Sequence, residues 1–207
     1  MKKKPTKKPK KKVKENTLVL FPTVQPERIA KALESIDSSI QLQHSWNKLN
    51  ELVDMQEDLV SLDTITITDV PGMKTSEIIE KMKSKFTVWQ WCDNEQLDKD
   101  FPAPEEATTR RFLNQQEPDK ETIGLSVRQC EEKGYKNMIT LRERLLLEIA
   151  YFDATGKHMD VEGCTFCGGS RHSDGGVPRV FWLGSEVRVS WGNLGRSDAW
   201  YGIRSAV

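Results

Sequence analysis

Apolar and polar residues alternate strictly in DTITITD, residues 63 to 69. Ile65 and Ile67 fall on one side and the threonines on the other, the period-two pattern of a half-buried strand. Pro71-Gly72 then marks a turn, and Thr75 or Ser76 is placed to cap a helix bearing Ile78, Ile79 and Met82. FTVWQW, residues 86 to 91, is aromatic and β-branched and reads as a strand. Upstream, TLVLF (17 to 21) reads as a short strand. Pro26 opens a helix with Ile29, Leu33 and Ile36 at helical spacing, and residues 40 to 44 offer a further short strand. Trp46, Leu49, Leu52 and Val53 form a second helical stripe.

The helical signal is strongest in ITLRERLLLEIAYFDATGKH. Thr140 and Glu143 have the spacing of a capping box, in which each side chain satisfies a free amide of the first turn. Leu141, Leu145, Ile149 and Phe152 run down one face with Leu146 and Ala150 beside them, and Gly156 stands where a left-handed residue ends a helix. A shorter helix is expected at about 126 to 133, ended by Gly134. VPRVFW and EVRVSW, joined by Leu-Gly-Ser, predict a hairpin. Val180, Trp182, Val187, Val189 and Trp191 face the core in that reading, and Arg179, Phe181, Arg188 and Ser190 face away. DAWYGIR adds an edge strand.

These elements predict an α+β protein of small β-sheets with helices packed on one face. Its expected parts are a lysine-rich tail over 1–15, a small α/β half over 16–92, an acidic linker or loop over 93–107, and a helix-plus-hairpin half over 108–207. The 207 residues suffice for one ordinary domain or two small ones, and 37% apolar against 30% charged residues suits modest cores. No apolar run approaches the roughly 18 residues that cross a bilayer, and no apolar segment of signal-peptide length follows the basic start. A cytoplasmic protein without a membrane partner is the expectation.

A net charge of zero conceals a division. Lys2, Lys3, Lys4, Lys7, Lys8, Lys10, Lys11, Lys12 and Lys14 face no acid within residues 2 to 14, while the remaining body has 22 basic and 31 acidic residues. Such a segment repels itself and buries almost nothing, so a disordered arm is expected. Its nine lysines suit phosphate backbones through counterion release, or the acidic body itself.

ITLRERLLLE, TGKH, C-x-GSR-x-SDG-x-VP-x-V-x-W and the terminal R-x-AV together resemble a C-terminal module of uncharacterised bacterial and phage-like proteins, over about residues 140 to 207. The resemblance implies a shared fold and a phage-related setting, and supplies no activity or catalytic residue. Cys167 fits that pattern, whereas Cys164 and the lysine segment stand outside it.

Candidate chemistry concentrates in GCTFCGGSRHSDGG, residues 163 to 176. Cys164 and Cys167 have zinc-knuckle spacing, and His158 and His172 complete a possible four-ligand set, H-x5-C-x2-C-x4-H. A redox pair would want a helix start after the first cysteine, where glycines stand instead. Ser170, His172, Ser173 and Asp174 as neighbours in a turn are poorly disposed to converge as a triad. Ser170, Arg171 and Ser173 among mobile amides form a candidate anion cradle. The plainest reading is a tight turn, with Asp174-Gly175 as its corner. Beyond Lys157 the lysines stop; Arg171, Arg179, Arg188, Arg196 and Arg204 interleave with Trp182, Trp191 and Trp200, a composition found on recognition surfaces. The expectation is a non-enzymatic binding protein whose tail contacts nucleic acid; the alternative is a zinc- or anion-dependent enzyme, or a zinc-stabilised module, using the 158–174 region.

Overall fold

The structure, a computed structural model, describes residues 63–207. The lysine-rich segment and the elements expected between residues 17 and 53 lie outside the described residues.

Two sheets and one central helix make up the α+β fold. Strand β1 (Thr64–Asp69) pairs antiparallel with β3 (Thr108–Leu113), Ile65 opposite Phe112 and Ile67 opposite Arg110. Ile65 and Ile67 are buried and the intervening threonines are half-buried, as alternation requires. The second sheet has five strands, in the order β2 (Val88–Gln90), β6 (Glu186–Gly192), β5 (Val177–Leu183), β4 (Cys164–Phe166) and β7 (Tyr201–Gly202). β5 and β6 form the expected hairpin. Leu183 pairs with Glu186, so Gly184-Ser185 make a two-residue turn, with Gly184 at the positive φ of 72° that such a turn requires.

Helix α4 (Leu141–Thr155) is the centre of the molecule. The expected capping box is present: the Thr140 hydroxyl accepts from the Glu143 amide at 3.2 Å, and the Glu143 carboxylate accepts from the Thr140 amide at 2.8 Å. Gly156 ends the helix at φ 67°. The helix meets β1, α1 (Thr75–Lys83) and β5 on different sides, and every residue from Leu141 to Tyr151 is buried. Its charged residues are therefore buried as well, which a one-sided apolar stripe does not announce. Helix α3 (Val127–Glu132) starts on a second capping box, Ser126 with Gln129, and packs Val127 and Cys130 against the opposite face of the large sheet. Helices thus cover both faces in part.

Several expectations give way. Lys74 is the residue before α1, so Thr75 and Ser76 lie in its first turn. The Thr75 hydroxyl donates to the Phe101 carbonyl, and the Ser76 amide and hydroxyl both donate to Asp98 at 2.7 Å. Residues 93–107 are not merely a linker: Asp93 caps α2 (Asn94–Asp100), which buries Leu97. Nor does that segment separate two sheets. β1 and β2 both take partners from beyond it, because a lone strand leaves its amides and carbonyls unpaired. Phe181 is buried on the α3 side, and Trp191 is half-exposed.

Candidate functional site

The stretch 163 to 176 begins as strand β4, and that decides the fate of its cysteines. Successive strand residues point to opposite faces, so an i, i+3 pair is split. Cys164 joins Phe166, Phe181 and Tyr201 in the core under α3, while Cys167 joins the core around α4. Burial pushes both thiols up from their ordinary range, which keeps them protonated. His158 is held elsewhere. Its ring stacks on Trp182 with centroids 3.7 Å apart, and Nδ1 lies 2.9 Å from Glu148 Oε1. His172 stands between carboxylates, Nε2 being 2.9 Å from Asp100 and Nδ1 2.9 Å from Asp174. Among the described residues no three His, Cys, Asp or Glu side chains are grouped as metal ligands would be. The zinc set H-x5-C-x2-C-x4-H therefore does not assemble.

Beyond Cys167 the chain forms a strap across the start of α4. The Gly169 amide donates to the Ile139 carbonyl at 3.0 Å, and Ser170 Oγ accepts from the Leu141 amide at 2.9 Å. A Cβ on Gly169 would fall 2.5 Å from the Met138 carbonyl oxygen, so only glycine allows this approach. Arg171 then returns to the Gly168 and Ser170 carbonyls and to Glu131. The corner beyond it is built as its composition implies. Gly175 adopts φ 83°, and Asp174 accepts from the Gly176 amide; that bond, with His172 next to it, holds the Asp174 carboxyl below its usual range.

Between the strap, β3 and the segment after α2 lies a cleft of about 450 Å³, within the usual span of small-ligand sites. Its basic groups are Arg110, Arg142 and Arg171, and its acidic ones Asp69, Asp100 and Glu143. Thr108, Thr140, Ser170 and the apolar Phe101, Pro102 and Pro104 complete most of the lining. Arg142 is fully engaged: Nε and Nη2 donate to Asp69 at 2.9 and 2.6 Å, and Nη1 donates to the Thr75 hydroxyl. Arg110 donates to both Glu143 oxygens at 2.9 and 3.0 Å and to the Asn137 carbonyl. The charges balance in number but not in position. The side chains of Arg171 and Arg110 are 38% and 24% exposed, against 7%, 5% and 3% for Asp69, Glu143 and Asp100. Of the lining charges, Arg171 and Arg110 are thus the most exposed; Glu143 and Asp69 behind them hold Arg110 and Arg142 in fixed orientation, and Glu131, itself exposed, pairs with Arg171.

Of the proposed anion cradle, Ser170 and Arg171 line this cleft, whereas Ser173 is exposed and lies outside its lining. Asp69, Arg110 and Arg142 carry no motif that singles them out in the sequence. Further along α4 stands a wholly buried ionic cluster. Arg144 bridges Glu148 at 2.8 Å and Asp160 at 2.7 Å, and Arg204 meets Asp160 at 2.6 Å. Among the described residues no helix is long and apolar enough to cross a membrane. No family model, curated protein or solved structure matches the chain.

Proposed function

We propose that the chain is a non-enzymatic nucleic-acid-binding protein. In this reading the nine lysines of residues 2 to 14 supply the long-range attraction and the cleft at the start of α4 receives a phosphate group. The observation that carries the reading is the uneven exposure of the charges lining the cleft, with Arg110 and Arg171 outward and Asp69, Asp100 and Glu143 buried. Guanidinium held in place by a buried carboxylate is pre-organised for a planar or tetrahedral oxyanion. The lysine segment alone gives affinity without selectivity, since it releases counterions from any phosphate chain. A fixed cleft adds a point of registration that the lysine segment does not supply.

Titration of a labelled oligonucleotide at two salt concentrations tests this. Removal of residues 1–14 should weaken binding most, because the remaining body is acidic. Arg171→Gln is the informative cleft variant, because its partner Glu131 is exposed and the pair contributes little to folding. It should weaken binding severalfold and lower the slope of log affinity against log salt by about one. Inorganic phosphate should compete with the full chain and not with Arg171→Gln. Unchanged affinity and slope in Arg171→Gln would remove the cleft from the reading, and no binding by the full chain at low salt would remove nucleic acid.

A further inference from the structure

The face of the large sheet turned away from α4 carries a continuous run of rings and guanidinium groups. Trp89 of β2 lies opposite Arg188 of β6, which lies opposite Phe181 of β5, so the three form one row across the strands. The Arg188 guanidinium sits 5.4 Å over the Trp89 ring. Phe181 meets Trp200 edge-on with centroids 5.6 Å apart, and Trp200 meets Tyr201 at 4.7 Å. Arg179 lies in the middle, 5.5 Å from both the Phe181 and Tyr201 rings, and Arg196 covers Tyr201 at 5.6 Å. Trp89 and Trp200 are 43% and 36% exposed.

The charges on this face are not cancelled as those at the cleft are. Arg188 is paired with Glu186 at 2.9 Å, but Arg179 and Arg196 have no carboxylate partner among the described residues. Arg179 gives one hydrogen bond to the Tyr201 hydroxyl at 2.6 Å, and its Nε has no partner among the described residues. The matching ligand presents flat π-faces at intervals and fixed negative charge between them. Single-stranded nucleic acid has both. A duplex hides its base faces within its own stack, and an acidic peptide carries the charge without the regular rings.

We infer that this face is a second site, which binds single-stranded nucleic acid by stacking unpaired bases on Trp89 and Trp200 while Arg179 and Arg196 hold the intervening phosphates. The inference rests on nucleic acid being the ligand, and it assigns to the face a selectivity for strand state that neither the lysine segment nor the cleft supplies.

The test compares a labelled oligothymidine with a duplex of equal phosphate number, using the full chain and monitoring both label anisotropy and tryptophan fluorescence. The single strand should bind about tenfold more tightly and quench tryptophan emission. Trp89→Ala and Trp200→Ala should each weaken single-strand binding about tenfold and leave duplex binding unchanged. Trp89→Phe should restore most of the loss, since it keeps a ring. Arg179→Gln should lower the salt slope for the single strand by about one, and Arg179→Lys should keep it. Thermal melting of each variant checks that the fold is retained. Full single-strand affinity in both folded tryptophan variants would overturn the inference. If deletion of 1–14 still abolished binding in that case, the proposed function would stand without it. Residues 15–62 covering the face would overturn it too, read as tryptophan emission that nucleic acid leaves unquenched. Sensitivity to Trp89 and Trp200 with indifference to Arg171 would keep this site and discard the cleft.

Discussion

Arg144 shows how much one buried charge can govern. It lies beside both Glu148 and Asp160, and Asp160 is shared with Arg204. Burial by itself would push the Asp160 carboxyl up, but Arg204 and Arg144 outweigh it and hold that group below the usual carboxylate range. Removing one member leaves its partners charged and unpaired in the core, so Arg144→Ala should cost about 3–5 kcal/mol, read from denaturant unfolding. Because the folded pKa of Asp160 lies below the unfolded value of about 3.9, its contribution is complete above that value and is lost as pH falls through the folded one. Melting temperature should thus be insensitive to this group above about pH 5 and fall below about pH 4. An acid limb of the same depth in Asp160→Asn would show that other carboxylates produce it. Asp119 works in the opposite sense: burial raises its carboxyl, so whatever stability it lends when protonated fades as pH rises through the raised value.

At the scale of elements, the start of α4 is where helix, strap and cleft meet. Thr140→Ala removes the hydroxyl that accepts from Glu143 and should cost on the order of 1 kcal/mol, measured as a lower denaturation midpoint. Gly169→Ala drives a methyl against the Met138 carbonyl and should destabilise by about 1–3 kcal/mol, since backbone there has no room to give. Helix α4 and strand β1 are both legible in the sequence. Thr140, Glu143 and Gly156 announce the helix because caps are local chemistry, and Ile65 and Ile67 announce β1 because alternation is local geometry. The burial of Arg142, Glu143 and Arg144 is not readable, because it depends on partners 16 to 73 positions away. Ser170 and Arg171 could be picked out as an unusual cluster, but the cleft they enter needs Asp69, Asp100 and Arg110 from other elements. Phe181 departs from its expected side for a related reason: a sheet covered on both sides has no single polar face. Trp191 stands at the end of β6, outside both cores, where its ring stacks with His172.

At the scale of the whole described body, β2 hydrogen-bonds to β6 and β1 to β3, so early and late segments close the same cores. Far-UV dichroism and tryptophan fluorescence should therefore report one coincident unfolding transition over residues 63–207, as expected where no part can leave alone. Separate midpoints for the two probes would mean that the sheets come apart independently.

The two sulfurs on opposite sides of β4 also make the chain its own recorder of opening. Three residues of extended backbone separate the Cα atoms by roughly 10 Å, too far for a crosslink, so oxidation should leave the pair uncoupled. Alkylating reagents then meet a graded series. Cys92 is half-buried with its thiol pushed up to about 11 by burial and the neighbouring Asp93 and Asp100, so it is labelled first and slowly. Cys130, Cys164 and Cys167 are buried and wait for the cores to part. In a timed pulse, chains carrying one label should be distinct in mass from chains carrying four, and few should carry two or three. The ratio of the two populations would read the closed fraction, using only sulfurs the chain already has.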